Sequence, residues 1–474
     1  MSEELGIRTK RSENFSKWYL EAVRKGGFVD QRSPVKGFDV ILPWGYSVWE
    51  LIHKRFDEEI KKNGVKNCYF PSFTPERFIR KEEEHLEGFK AELMLVTEAG
   101  GSKLEENLVV RPTSETIMYP MFSLWIRSHA DLPFKINQWC NMIRYDTKVT
   151  RPFIRSRENL WQEAHTAHAS REDAEKQAEE AVRIYSKSYE QMALAALVLV
   201  RPKSDTFPGA DFTVVFDTPV QNGKVVQGPG THFLGQNFSK PFDIQFTDKD
   251  RTKKYVWQTC WGMTTRQVGI ILMHFGDDKG AVLPPEVAPY QVVVVPIPFK
   301  GKEDRVKTKS QEVENAVKKM GIRAFLDGRD YSPGFKFNEW ELKGVPLRIE
   351  IGPRDIENRE VTIVERLTGK KSKLKVSKLA DLKKILKKIQ KDMLAKSELI
   401  LKNSITDVTD LDKLGTVSGF ARANWCGSAS CEEQIKETGA EIRGTLYGKK
   451  EKVFGKCIKC GKPAKHVVYI ARAY

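Results

Sequence analysis

The chain has 474 residues, of which 40% are hydrophobic and 30% are charged, and its formal net charge is +16. This balance excludes a disordered or fibrous chain, and the length suggests roughly two to four domains. The longest apolar run, residues 192–200, is about half as long as a membrane span, so we expect a cytoplasmic protein with no membrane contact. The basic charge suggests a polyanionic partner, although an ordinary solvated basic surface would give the same composition.

The first half of the chain shows helical periodicity interrupted by short strands. Helices are predicted for residues 14–25 and 47–62, a strand for 67–70, and a long helix from the N-cap Ser170 to about Leu197. Between residues 212 and 261 the pattern changes to antiparallel hairpins broken at 222–223 and 228–230.

A buried helix or strand is predicted for residues 268–273, and 283–289 resembles a linker in composition. After it, strands and helices alternate over about a hundred residues, which is typical of an α/β domain. Residues 370–391 contain ten lysines and one aspartate, on a helix with one apolar face. The lysines form either a solvated surface or a contact with a polyanionic partner.

Four of the seven cysteines are placed in two short pairs. Cys426 and Cys431 are separated by four residues, and Cys457 and Cys460 by two. Two chelating loops of this kind are typical of a tetrahedral four-thiolate zinc site, which leaves no open position and is therefore structural.

A second group of polar residues extends from Arg111 to Arg266. Thr113 and Glu115 share a tight loop that could bind a small cationic amine, or could simply cap a helix. Arginines recur at 144, 151, 155, 157 and 266, and their planar guanidinium groups suit phosphate and carboxylate. Each arginine alone could form a surface ion pair, but their joint occurrence favours an anion site.

These segments resemble class II aminoacyl-tRNA synthetases, and within them the prolyl-tRNA synthetases of the archaeal/eukaryotic type. Residues 64–71 are similar to motif 1, which forms the dimer, residues 144–163 to motif 2, and residues 261–266 to motif 3. The resemblance extends over nearly the whole chain, including the cysteines.

The resemblance implies an α+β fold for the catalytic domain, with an antiparallel sheet flanked by helices, at residues 1–286. An α/β anticodon-binding domain is expected at 287–400 and a small zinc-binding domain at 401–474. The implied enzyme is a homodimeric ligase that uses ATP and Mg²⁺ to form prolyl-adenylate and then charges tRNA(Pro).

The resemblance also assigns roles to single residues. Thr113 and Glu115 would hold the proline amine, between an apolar wall at Trp161 and a polar wall at His232. Arg144, Arg155 and Arg266 would be the catalytic arginines that hold ATP, with Arg144 also binding the proline carboxylate, and two amides would assist them: Gln227 and Gln258.

Three positions depart from the family pattern, and the first is Asp146, where the general class pattern has glutamate. Asn159 replaces the phenylalanine that would stack on adenine, and Gly230 replaces a threonine near the proline pocket. Candidate anticodon-reading residues combine donors and acceptors near predicted strand ends, although a structural ion-pair cluster would look the same: Arg348, Glu350, Arg354 and Asp355.

Two alternatives remain. One is a class II synthetase for another amino acid, such as threonine or glycine, and the other is a paralogue that binds RNA without catalysis. The presence of Arg144, Arg155 and Arg266 counts against the paralogue. Residues 1–286 carry a net charge of +1 and residues 287–474 carry +15, so almost all of the surplus lies on the domains that the resemblance assigns to tRNA.

Overall fold

The computed structural model describes residues 6–85, 93–145 and 149–474, so Asp146 lies outside the described residues. Within these ranges, the first unit contains six α-helices: α1 (Phe15–Lys25), α2 (Pro43–Lys62), α3 (Glu76–His85), α4 (Glu115–Trp125), α5 (Arg171–Gln191) and α6 (Arg266–Phe275). Its strands are β1 (Val29–Asp30), β2 (Val40–Ile41), β3 (Lys66–Asn67), β4 (Phe73–Pro75), β5 (Leu95–Ala99), β6 (Ser102–Val110), β7 (Phe134–Ile143), β8 (Glu158–His168), β9 (Leu197–Val200), β10 (Phe212–Pro219), β11 (Val225–Gly235), β12 (Gln245–Thr247), β13 (Lys253–Tyr255) and β14 (Trp257–Thr264).

A five-stranded sheet with helices forms the second unit. Its elements are β15 (Val292–Pro296), α7 (Glu303–Lys319), β16 (Ala324–Leu326), α8 (Pro333–Lys343), β17 (Leu347–Ile351), α9 (Pro353–Glu357), β18 (Glu360–Glu365), β19 (Lys371–Lys375) and α10 (Leu382–Asn403). β15 pairs in parallel with β16 and β17, whereas β18 and β19 are antiparallel. The last unit comprises β20 (Ile405–Asp407), β21 (Phe420–Trp425), α11 (Ala429–Lys436), β22 (Glu441–Leu446) and β23 (His466–Ala471).

One sheet connects the first unit with the last. Its strand order is β20-β21-β23-β22-β9-β10-β11-β14-β8-β7-β3, and the strands from β22 to β7 pair in antiparallel fashion. The connection is made where Thr445 and Leu446 of β22 pair with Val200 and Leu199 of β9. The predicted order of a largely antiparallel catalytic sheet, an α/β domain and a C-terminal unit is therefore confirmed.

Local sequence explains the first helix. The Asn14 side chain accepts a hydrogen bond from the Lys17 amide, and Trp18, Tyr19, Ala22 and Val23 are buried at helical spacing. As predicted, α1 ends at Lys25 before the two glycines, whereas α2 begins at Pro43, four residues before the predicted start. Of the strand predicted for residues 67–70, only Asn67 is in a strand, at the end of β3.

Two predictions around the central sheet are wrong. The helix predicted to reach Leu197 ends at Gln191, because Ala193 adopts a left-handed φ of 55° and the following apolar run pairs as β9. An apolar run is compatible with helix and strand, and sheet pairing decides between them. The predicted break at 228–230 lies inside β11, which continues to Gly235.

The segment predicted as a linker is packed rather than exposed. Leu283, Val287 and Ala288 are buried, and the Arg323 guanidinium donates to the backbone oxygens of Pro285 and Ala288. The second unit otherwise follows the predicted order of elements, with β19 added and with α10 extending past residue 400. Among the described residues, no helix is both long and apolar enough to cross a bilayer.

A buried histidine connects α6 to α10. The Nδ1 atom of His274 lies 2.8 Å from the Pro219 carbonyl oxygen, and its Nε2 atom lies 2.8 Å from Ser397 Oγ. A carbonyl can only accept, so Nδ1 carries the proton and the Ser397 hydroxyl donates to Nε2. Burial lowers the pKa of His274 to about 4, which keeps the imidazole neutral.

We expect this histidine to make the fold less stable in mild acid. An unfolded histidine binds a proton near pH 6.5, whereas folded His274 does so only near pH 4. Stability is therefore lost as pH falls from 6.5 to 4, at a limit of about 1.4 kcal/mol per pH unit. The midpoint of urea unfolding, measured across this range, should fall less for His274→Gln than for the wild type. The exposed His129→Gln serves as the control, and equal pH slopes in wild type and His274→Gln would contradict this assignment.

Candidate functional site

A cavity of about 210 Å³ opens on one face of the central sheet, between β7, β8, β11 and β14. Its wall contains most of the residues singled out from the sequence: Thr113, Glu115, Arg144, Trp161, Gln227, His232 and Arg266. The opposite face of the sheet is covered by α5, where the Tyr185 hydroxyl donates to Gln162 Oε1 at 2.9 Å. Trp161 and Glu163 line the cavity on either side of Gln162, as expected for the two-residue period of a strand.

Strand register places the cavity residues in rows. Cys260 of β14 lies between His165 of β8 and His232 of β11. In the next row, Gly262 lies between Glu163 and Gly230. Because the two glycines carry no side chain, the middle of the cavity floor is open backbone. A Cβ atom at Gly230 would lie 3.2 Å from Nε2 of His232, so the departure from the family pattern at this position makes room for that ring.

A buried acidic network forms one part of the cavity. The Thr113 hydroxyl donates to Glu115 Oε2, and both side chains are almost fully buried. Gln138 Nε2 donates to Ser114 Oγ at 2.7 Å and to Glu163 Oε2 at 3.3 Å. Burial and the neighbouring charge of Glu163 raise the pKa of Glu115, which means that the empty cavity disfavours its negative charge.

His165 lies beneath these carboxylates. Its Nδ1 atom lies 2.9 Å from the Tyr119 hydroxyl, and its Nε2 atom lies 3.1 Å from Glu163 Oε1. Although burial acts against protonation, the hydrogen bond and charge of Glu163 and the charge of Glu115 raise the pKa of His165. A protonated His165 offsets part of the acidic charge. One further cation beside Glu115 would offset the rest.

His232 faces the cavity as a neutral ring. Burial, together with the positive charges of His165 and Arg144, lowers its pKa to about 3. Its Nδ1 atom lies 2.9 Å from Thr213 Oγ1, which accepts a hydrogen bond from the Phe207 amide at 3.1 Å. The Thr213 hydroxyl still has its proton and a second lone pair, so it can pair with Nδ1 in either tautomer of the ring.

Guanidinium groups form another part of the cavity. Arg144 Nε donates to the Pro112 carbonyl at 3.1 Å, and Arg266 donates to the carbonyls of Ile154 and Gln227 at 3.1 and 3.2 Å. Burial and the charges of Arg144 and Arg155 lower the pKa of Arg266 to about 10. The clustered positive charge and the backbone partners make this part of the cavity suited to an anion.

Three residues named from the sequence are not part of the cavity wall. Arg155 is exposed in a tight turn with Arg151, although its charge reaches Arg266. Gln258 is fully buried in β14, away from the wall. Asn159, at the family's adenine-stacking position, donates to the Ser156 carbonyl at 2.9 Å.

Sequence reasoning did not identify several residues of the wall. Cys260, Gly262 and Thr264 alternate along β14, and this period could have placed them beside the predicted residues. Glu163, the last residue of the segment similar to motif 2, also belongs to the wall. Phe207 comes from a loop, for which the sequence offers no periodic signal.

Most of the anticodon candidates form buried structural contacts. Arg348 Nε donates to Glu350 Oε1 at 3.0 Å, and both side chains are buried. Asp355 accepts from the Gly352 amide and from the side chains of Thr362 and Lys373. Of the four, Arg354 is exposed. These contacts favour the ion-pair interpretation that the sequence left open for the other three.

The cysteine quartet comes together as predicted. One sulfur from each of Cys426, Cys431, Cys457 and Cys460 lies within 4.8 Å of the others. The sulfurs of Cys426 and Cys431 are 3.7 Å apart, and those of Cys460 and Cys426 are 3.9 Å apart. Tetrahedral Zn–S bonds of about 2.3 Å require sulfurs about 3.8 Å apart, so the donor set fits zinc.

Hydrogen bonds also prepare one of these thiols for metal binding. Although burial acts in the opposite direction, backbone amides of Cys460, Lys459 and Cys426 lower the pKa of Cys457 to about 7. The thiolate is the form that binds a metal ion.

Three protein-family descriptions match consecutive parts of the chain. Residues 90–275 match the tRNA synthetase class II core domain (G, H, P, S and T), residues 291–388 an anticodon binding domain, and residues 411–474 the C-terminal domain of prolyl-tRNA synthetase.

Similar proteins match over nearly their full length. The proline–tRNA ligase of Symbiobacterium thermophilum is 41% identical over 98% of this chain and 98% of its own. That of Cenarchaeum symbiosum is 41% identical over 99% of this chain and 100% of its own. A crystal structure of Cryptosporidium parvum prolyl-tRNA synthetase with halofuginone and AMPPNP aligns with a TM-score of 0.94 at 40% identity, covering 99% of both chains. A second, with L-proline and AMP, aligns with a TM-score of 0.93 at 38% identity, covering 100% of this chain and 98% of that chain.

Proposed function

Since the chain belongs to the proline–tRNA ligases, a family of class II aminoacyl-tRNA synthetases, we propose that its cavity joins proline to ATP and passes the prolyl group to tRNA(Pro). The observation that carries this proposal is the pairing, in one cavity, of a buried carboxylate network with a cluster of arginines. A substrate with a cationic amine at one end and an anionic group at the other would meet both.

Proline supplies the cation. Its secondary ammonium group would donate to Glu115 and Thr113, and this charge would stabilise the ionised form of Glu115 whose pKa the empty cavity raises. Trp161 offers an apolar wall to the pyrrolidine ring, and the neutral His232 ring offers a polar wall on the other side. The proline carboxylate would then lie toward Arg144.

ATP supplies the polyanion. A proline carboxylate oxygen would attack the α-phosphorus while the bond to pyrophosphate breaks, a displacement that needs alignment and charge neutralisation rather than a protein nucleophile. Arg144 would bridge the two substrates, and Arg266 and Arg155 would hold the phosphates. In the second step a ribose hydroxyl of tRNA attacks the prolyl carbonyl carbon, and AMP leaves.

Mg²⁺ would reach this site bound to the phosphates of ATP. In the described part of the cavity wall, the carboxylates are Glu115 and Glu163, and both belong to the acidic network. The phosphate oxygens therefore offer the better ligands, and the ion would offset their charge there.

The C-terminal cysteines would hold a structural Zn²⁺. Four thiolates fill its tetrahedral coordination and leave no position for a substrate. Bound zinc would cross-link the start of α11 to the loop that precedes β23.

We assign catalysis to residues 1–286, anticodon binding to 287–400 and the zinc-binding unit to 401–474. Phe299 and Tyr331 are exposed in the loops that follow β15 and β16, and Arg354 is exposed in α9, which follows β17. Because carboxyl ends of parallel strands meet at one edge, these side chains offer stacking surfaces and a charge for unpaired bases. We propose a cytoplasmic location, where the enzyme would charge this tRNA.

The exposed apolar surface near motif 1 supports a homodimer. Tyr69, Phe73, Leu124 and Trp125 are all exposed, and the Trp125 ring lies 5.8 Å from that of Phe70. β3, at the free edge of the central sheet, lies in the same part of the chain. Apolar residues grouped in this way are typical of a protein interface.

Proline-dependent exchange of pyrophosphate into ATP tests the proposed reaction. Glu115→Gln should raise the KM for proline roughly 10- to 100-fold, because a hydrogen bond to a charged group contributes about 1.5–3 kcal/mol. The KM for ATP should change less than twofold, and the exposed Glu13→Gln should resemble the wild type. Exchange with threonine or glycine instead of proline would indicate another synthetase, and absence of exchange with every amino acid would indicate a non-catalytic paralogue.

Metal analysis tests the zinc site. The purified chain should contain one zinc ion, which Cys457→Ser loses while its thermal unfolding midpoint falls, because the metal cross-links two loops. Cys68→Ser, which alters a cysteine outside the quartet, should retain the metal. A zinc-free wild type with the same midpoint as zinc-supplemented protein would refute the structural role.

Sedimentation at two salt concentrations tests the dimer and the tRNA surface together. We expect a particle of twice 54.3 kDa at both concentrations, because its interface is apolar.

Binding to tRNA should weaken steeply with salt, because lysines and arginines release counterions, whereas proline activation should change little. A monomer at micromolar concentration, or salt-independent tRNA binding, would contradict the corresponding assignment.

A further inference from the structure

A buried ion cluster lies behind the cavity, outside the residues assigned above. It consists of Arg201, directly after β9, Asp217 on β10 and Arg443 on β22 of the last unit. Their side chains are 1%, 0% and 5% exposed. Two cations and one anion at this depth require close compensation, because desolvation of buried charges costs several kcal/mol per ion.

Both guanidinium groups bind the same carboxylate. Arg201 donates from Nη1 and Nη2 to the two Asp217 oxygens, at 3.1 Å each. Arg443 donates to the same oxygens from Nε and Nη2, at 2.8 and 3.3 Å. Although burial acts in the opposite direction, the two positive charges lower the pKa of Asp217, so it remains ionised.

Arg201 makes further contacts that point in two directions. Its Nη1 atom donates to the backbone oxygen of Arg443 at 2.6 Å, which binds it to the last unit. Its Nη2 atom donates to Oε1 of Gln227 at 2.7 Å, and Gln227 is part of the cavity wall. The Gln227 backbone oxygen in turn accepts from Arg266 Nη1. A continuous chain of hydrogen bonds therefore leads from β22 to the nucleotide part of the cavity.

The contact with Arg201 decides which way the Gln227 amide faces. A glutamine amide has an acceptor and a donor end of nearly equal size, so its orientation depends on its hydrogen-bond partners. A guanidinium can only donate, so it fixes the oxygen of Gln227 toward itself. The amide N–H groups are then the part of the side chain left for a ligand. They suit an acceptor such as a phosphate or ribose oxygen.

We propose that Arg201 is a positioning residue for ATP binding, which orients Gln227 as a hydrogen-bond donor to the nucleotide. Asp217 and Arg443 hold Arg201 in place, so β22 of the last unit contributes to the geometry of a pocket that it does not line. This inference rests on the proposed function, in which ATP occupies the arginine-rich part of the cavity.

Arg201→Lys tests the proposal in the full-length chain by proline-dependent pyrophosphate exchange. Lysine keeps the positive charge near Asp217 but lacks the planar set of donors that binds Asp217 and Gln227 together. The KM for ATP should rise roughly tenfold, as expected for the loss of one hydrogen bond worth about 1.4 kcal/mol. The KM for proline should stay within twofold of the wild type. Asp205→Asn, which alters a more exposed ion-pair partner of Arg201, is the matched control.

A double-mutant cycle separates positioning from a merely structural role. With Gln227→Ala in place, Arg201→Lys should change the KM for ATP by less than twofold, because both changes remove the same contact. An undiminished effect in that background would overturn the proposal. An unchanged KM for ATP in Arg201→Lys alone, or a parallel rise in both KM values with a lower unfolding midpoint, would overturn it too.

If Arg201→Lys does not fold, Arg443→Lys carries the test from the other side of Asp217. It leaves the contact between Arg201 and Gln227 in place but loosens its support, so the KM for ATP should rise severalfold and the KM for proline should not. An unchanged KM for ATP in Arg443→Lys would refute the role of β22. If Arg201→Lys does not fold, the same result would overturn the whole proposal. A wild-type protein without proline-dependent exchange would instead refute the proposed function.

Discussion

The antiparallel register of β8, β14 and β11 determines where the cavity side chains lie. Because alternate residues of a strand share a face, three residues of β8 on that face meet partners from β14 in fixed rows: Trp161, Glu163 and His165. A slip of one residue in either pairing would turn every one of them toward α5. The same register places Gly262 beside Gly230, which leaves an open floor between the carboxylates and the arginines. The floor of the cavity is thus a consequence of strand pairing, whereas Thr113, Arg144 and Phe207 come from loops and Glu115 from the start of α4.

The electrostatics of the cavity follow from this separation. Glu115 is buried and Arg266 is partly buried, each lies beside a like charge, and each has a pKa displaced toward its neutral form. An ion pair between them would have relieved both, but the open floor keeps them apart. Displaced pKa values of this kind are concentrated at functional sites, because there the ligand supplies the opposite charge. Proline and ATP bring the two missing charges, an ammonium group and a polyphosphate.

Sequence alone anticipated the parts of this arrangement that depend on local chemistry. The cysteine pairs were predictable because spacing and residue type fix their geometry, whereas the role of Thr113 and Glu115 came from the family resemblance. The end of α5 was not, since an apolar run satisfies helix and strand equally until β10 and β22 pair with it. The anticodon candidates illustrate the same limit. Arg348 and Glu350 have the right chemistry for reading bases, but they are two residues apart on one buried strand and satisfy each other.

The last unit is part of the catalytic sheet in a physical sense. Without β22, strand β9 would be an edge, with unpaired backbone groups and with Leu199 exposed on its apolar side. The pairing also brings Arg443 against Asp217, a carboxylate that the first unit alone compensates with Arg201. A domain joined only by a flexible linker could not hold a guanidinium at hydrogen-bond distance in a dry interior, because the desolvation cost would favour its release. Because β22 belongs to the same sheet, Arg443 stays at hydrogen-bond distance from Asp217. The geometry behind Gln227 therefore depends on residues more than two hundred positions away in the chain.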